Sequence, residues 1–220
     1  MIDAAVAPFG RLVGRDTSSE LRIYNLPTDP GFGAHVADQF MWTVGVFSFP
    51  DSPPNFARSY PDRHVWIYDP AKSHGAFRFP DWSVEDAVAY TRAWRVSHEI
   101  GHGRRWSEIE RRFGPGRRSG KLGAPLTARE AARAIAWEDA AFHEQRHVLA
   151  CCGVHVSDED FGREWRINMA DAVHRVLTGD FSDPGPDGFL PNDGPLEADE
   201  VEAAFLACGA DVAGEYRRVQ

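Results

Sequence analysis

Cysteine is scarce in this chain: there are three in 220 residues, Cys151, Cys152 and Cys208, the first two adjacent. So few exclude a disulfide scaffold and point to a reducing compartment. Long hydrophobic runs are missing too, since no segment reaches the ~18 apolar residues that a membrane-spanning helix needs. The opening "MIDAAVAPFGRLVG" carries no basic stretch followed by an apolar one, as a secretory signal would. The expectation is a cytoplasmic protein with no membrane partner. Positive charge is also short, with 24 Lys and Arg against 33 Asp and Glu and a net charge of −9. That balance excludes a general nucleic-acid binder, because phosphate contacts need a concentrated basic surface.

What is present is enough for a packed core: 43% of the residues are hydrophobic and seven are tryptophan. A length of 220 residues fits one domain, and no linker divides it. Charge is nonetheless uneven. Residues 104–121, "RRWSEIERRFGPGRRSGK", hold seven basic and two acidic residues, so this stretch is +5 and the remainder −14. The plain reading is a solvated helix end and loop, and the functional one is a contact for an acidic partner.

Along the chain the hydrophobic period changes once. Residues 1–82 are rich in Pro, Gly and aromatics with short β-leaning runs: "LRIYNL" at 21, "FMWTVGVFSF" at 40, "HVWIYD" at 64 and "AFRF" at 76. Residues 83–220 read as helical. Ser83 with Asp86 forms a capping-box-like start, and Val84, Ala87, Thr91, Trp94, His98, Gly101 and His102 follow one face at helical spacing. Gly101, Gly103 and the "GPG" at 114–116 predict a weakening, then a short helix and a basic loop over 104–126. Thr127 with Glu130 opens a second long helix, which Gly153 ends. A third follows Ser157, with the stripe Phe161, Trp165, Met169, Val173 and Val176, and a last one begins near Leu196. The fold class expected is α+β: a small N-terminal sheet with long loops, then a mainly helical part. Cys151 and Cys152 read as core.

Two segments carry chemistry: "SHEIGHG" at 97–103 and "FHEQRH" at 142–147 each contain His-Glu-x-x-His. With nine His and fourteen Glu, random placement produces one such pattern in roughly one chain out of forty. Histidines four apart on a helix project from one face, so His98 and His102 can reach one ion at ~2.0–2.1 Å. Glu99 lies between them, off the ligand direction but on the same side, placed to hold a water as general base. The small Gly101 and Gly103 leave room beside the second ligand. The bland alternative is a pair of hydrogen-bonded histidines on a half-buried face.

"VSHEIGHG" resembles the active-site helix of the zincin metallopeptidases, in which an apolar helix ends in His-Glu-x-Gly-His. The resemblance covers some twenty residues and implies zinc, with His98 and His102 as ligands and Glu99 as the base. The metzincin branch would place a third histidine where this chain has Glu108, so that branch fails. The gluzincin branch takes a glutamate from a following helix. In the stripe Ala131, Ile135, Glu138, Phe142, Leu149, Glu138 alone is charged, and a carboxylate on an apolar face needs a partner such as a metal. "WEDAAFHE" is similar to the segment that supplies this glutamate in small gluzincin-like peptidases, although their orienting aspartate is replaced by Phe142. Asp139, His143 and His147 are candidates for supporting or oxyanion roles, and His143 is the reserve third ligand.

The expected function is therefore a zinc metallopeptidase acting on a peptide or protein, whose backbone would pair along an edge of the sheet at "HVWIYD". Two alternatives come from other classes. The two Glu-x-x-His segments suit a carboxylate-bridged di-iron oxidase, but Glu130 and Glu138 share a helix with Glu144 where that fold needs separate helices. A non-enzymatic domain with a structural metal would use the basic loop for docking.

Overall fold

The computed structural model describes residues 26–47, 57–60, 62–68, 83–115 and 126–162, with positions 165, 169, 172, 176, 200, 203, 206 and 207 beyond them. The elements in order are α1 (Phe32–Gln39), β1 (Thr43–Phe47), β2 (Ala57–Tyr60), β3 (His64–Tyr68), α2 (Val84–Phe113) and α3 (Ala128–Cys151). Mixed α+β architecture, helical for the most part, agrees with the sequence at that level. Among the described residues no helix is long and apolar enough to cross a membrane. "AFRF", the loop after Gly179 and Cys208 lie outside the described residues, as does "LRIYNL" except Leu26; of the helix expected from near Leu196, positions 200, 203, 206 and 207 are described and are helical.

The three strands are ordered β1-β3-β2. β1 runs parallel to β3, with Thr43 opposite His64, and β2 runs antiparallel to it, with Ala57 opposite Ile67. "HVWIYD" is therefore the central strand and not an edge open to a substrate backbone, because both its hydrogen-bonding sides are taken. Its period of two shows which face is covered: Val65 and Ile67 are fully buried while Trp66 is 39% exposed. Three elements differ from expectation. α1 precedes the first strand, entered through a turn in which Gly31 N–H donates to Asp29 Oδ1. β1 begins only at Thr43, since Met41 adopts a left-handed φ of 58° and turns the chain. β2, "ARSY", is too short and polar to display alternation.

The chain divides into two compact units, one of residues 1–19, 107–139 and 158–220, the other of residues 20–106 and 140–157. In the second, Val36, Ala37, Trp42, Val65, Ile67, Val96, Ile100 and Val148 form a core on which Phe32, Phe40, Val44 and Cys152 pack. In the first, Phe161, Trp165, Met169 and Val176 are buried, the stripe read from the sequence, with Val173 not described. There Arg129 Nε donates to the Phe113 carbonyl and Arg133 Nε to that of Gly114, capping acceptors that the last turn of α2 leaves open. Burial pushes the Arg133 guanidinium below its ordinary pKa, and the nearby Glu110 opposes that shift.

Helix ends follow their signals. Ser83 Oγ accepts from Asp86 N–H, and the Thr127–Glu130 box closes both ways, Thr127 N–H to Glu130 Oε2 at 2.8 Å and Glu130 N–H to Thr127 Oγ1 at 3.3 Å. Gly114 and Gly153, each at φ 82°, terminate α2 and α3. The weakening expected after Gly101 and Gly103 is absent, and α2 continues unbroken for 30 residues. Each glycine costs a helix roughly 1 kcal/mol relative to alanine, but both positions are closely packed. A Cβ at 101 would meet the Ala141 backbone, and one at 103 would collide with the Trp42 indole. The space beside His102 is thus filled by α3 and Trp42 and is not left open.

A candidate metal centre on two long helices

α2 carries His98, Glu99 and His102 on its inner side, at 6%, 8% and 5% exposure. On α3 the stripe read from the sequence is real: Ala131, Ile135, Phe142 and Leu149 are buried, and Glu138 is half-buried among them. Glu138 stands one turn before Phe142, whose ring lies 4.4 Å from that of His98 between centroids. One ligand atom from each of His98, His102 and Glu138 falls within 4.8 Å of the others. Tetrahedral donors at zinc distances are about 3.4 Å apart. Two imidazole nitrogens and one carboxylate oxygen, largely screened from water, are a donor set that fits a divalent metal.

The His98 ring is braced on its aromatic surroundings. Trp94 stacks on it with centroids 5.2 Å apart and planes at 14°, while the His102 ring meets it edge-on at 4.7 Å. One turn below, Gln145, fully buried, reaches across from α3: its Nε2 donates to the Trp94 carbonyl and to Ser97 Oγ, both at 3.0 Å. Ser97 Oγ itself donates to the Trp94 carbonyl. The bracing was missed in the sequence, although Trp94 four residues before His98 carried the required spacing. Gln145 offered no signal, because a polar residue inside a helix contact is unrelated to any local period.

The second His-Glu-x-x-His does other work. Glu144 is buried and lies between two guanidiniums, Oε1 at 2.6 Å from Arg104 Nε and Oε2 at 2.7 Å from Arg105 Nε. Arg104 also covers the Phe40 ring. Arg146 donates to the Val156 carbonyl, and His147 is exposed, with Nε2 3.7 Å from Cys151 Sγ. Among the described residues the one group arranged to hold a metal contains neither His143 nor His147. Asp139 Oδ1 accepts from Trp165 Nε1 at 2.7 Å. Of the basic stretch 104–121, Arg104 and Arg105 face Glu144, Arg112 faces Glu108 at 3.5 Å, and residues 116–121 lie outside the described residues. Cys151 is exposed, not core, and Cys152 is half-buried; burial, and then Cys151, push the Cys152 thiol above its ordinary pKa.

No protein-family model matches the chain, and neither does any curated protein or solved structure compared with it.

Proposed function

We propose that this chain is a zinc-dependent hydrolase that cleaves peptide bonds, with His98, His102 and Glu138 as ligands and Glu99 as general base. The observation that carries the reading is the convergence of two imidazoles and one carboxylate within 4.8 Å, two of them flanking a buried Glu99 in sequence. Two nitrogen donors and one oxygen donor suit zinc, and three protein ligands leave a coordination position for catalysis. When bound, such an ion lowers the pKa of water toward ~7 and polarises a carbonyl.

The remaining chemistry belongs to side chains. His98 and His102 would offer ring nitrogens to the ion, and Trp94 and Phe142 pack against the His98 ring. The Glu99 carboxylate accepts the proton of the attacking water and hands it to the leaving nitrogen, so one residue acts as base and then as acid. The substrate proposed is a peptide or protein, and the compartment a reducing cytoplasm in keeping with free Cys151 and Cys152.

The di-iron reading has less support, because Glu144, its required second bridging carboxylate, is already neutralised by Arg104 and Arg105. The same two contacts weaken the docking reading, since they engage part of the basic patch. Metal analysis of protein purified without added metal tests the proposal together with Glu99→Gln. About one zinc per chain, kept in the variant while peptide hydrolysis falls by about 10²–10⁴-fold, is the expected result. Two irons per chain with oxygen uptake, or no metal and no response to chelation, overturns it.

A further inference from the structure

We infer that Trp94 is a positioning residue of the metal centre, fixing the plane in which the His98 imidazole presents its nitrogen to the ion. The inference rests on the reading of His98, His102 and Glu138 as ligands. A histidine's second side-chain torsion is broad and soft, so a ligand imidazole needs neighbours to define its orientation. Metal sites usually provide them as hydrogen-bond acceptors, whose loss weakens metal affinity about 10–100-fold. Here the orienting surface is aromatic. Trp94 lies flat against His98 at 14° and 5.2 Å, and Phe142 approaches the same ring at 4.4 Å and 43°.

The backbone beneath is held as well. The Trp94 carbonyl receives Gln145 Nε2 and Ser97 Oγ, so the turn that launches both the indole and the imidazole is tied to α3. Trp94 and Phe142 also touch, with centroids 6.2 Å apart, which makes three mutually packed rings of which one is a ligand. A side chain without a ring at 94 leaves the backbone in place but frees the imidazole to rotate. The consequence falls on metal affinity and on ligand-field geometry, neither of which a residue with a purely structural role would alter once the fold is intact.

The test uses the full chain stripped of metal and titrated with Co²⁺, reading the visible d–d absorption and the affinity by chelator competition. Trp94→Leu is expected to bind Co²⁺ about tenfold more weakly with a shifted spectrum, whereas Trp94→Phe, which keeps a stacking ring, stays within about threefold of the parent. Wild-type affinity and spectrum in Trp94→Leu overturn the inference and leave the metal centre standing. Failure of the parent chain to bind Co²⁺ removes the metal centre itself. Should Trp94→Leu not fold, Trp94→Met takes its place, since a flexible thioether fills the volume without a ring, and parent-like binding in it overturns the inference equally.

Discussion

Gly101 on α2 faces the backbone of Ala141 on α3 so closely that a Cβ at 101 would stand 2.5 Å from the Ala141 carbonyl oxygen. The absence of a side chain at 101 lets these helices approach, and it does so between His98 and His102. An alanine there raises intrinsic helix propensity by roughly 1 kcal/mol but meets backbone, which cannot rotate aside. Overpacking of this kind typically costs about 1–3 kcal/mol. The expected outcome for Gly101→Ala is lower stability in chemical denaturation and weaker metal retention. Unchanged values for both would show that the close approach does not set the geometry of the centre.

The third ligand can be separated from its reserve. Glu138→Ala is expected to lose stoichiometric zinc while His143→Ala retains it, measured by metal content after dialysis against a weak chelator. The opposite pattern transfers the ligand role to His143.

Glu144→Ala removes the carboxylate that draws Arg104 and Arg105 together. Breaking a buried ion pair costs about 3–5 kcal/mol, but these arginine side chains are 39% and 40% exposed and regain hydration. A loss nearer 1–3 kcal/mol is expected after that discount, with zinc content unchanged. A folded Glu144→Ala protein that has lost its metal would place the centre on the second motif instead.

Cysteine reactivity should follow exposure. With iodoacetamide near pH 7, Cys151, which is exposed, should be alkylated before Cys152, whose thiol burial holds above its ordinary pKa. Because that pKa is raised by folding, the Cys152 contribution to stability is complete below the ordinary value of 9.0 and is lost as pH rises through the folded value. Mass-spectrometric mapping with time reads the first effect, and denaturation midpoints at pH 8 and pH 10 the second. Equal alkylation rates at Cys151 and Cys152 would contradict the burial assignment.

Legibility varied by residue for identifiable reasons. The capping boxes at Ser83 and Thr127 and the stop at Gly153 were readable because each is a local exchange of backbone hydrogen bonds completed within a few residues. α1 and β2 were not, since elements of eight and four residues hold too few positions to establish a period. Gly101 and Gly103 misled for a different reason. Their cost to a helix is local and visible, whereas the packing against Ala141 and Trp42 that offsets it comes from distant parts of the chain.

The linear order of residues alone determined that His98 and His102 share a helical face around Glu99, and that Glu138 is the one charge on an apolar stripe, because both follow from 3.6 residues per turn. Only the tertiary structure decided which carboxylate meets those imidazoles. It brought Glu138 within 4.8 Å of them and gave Glu144, in the second His-Glu-x-x-His, to Arg104 and Arg105. The physical reason is that a side chain's local environment is periodic and can be counted along the chain. The groups that compete for a buried charge come from another helix, and their identity depends on how closely the two helices approach.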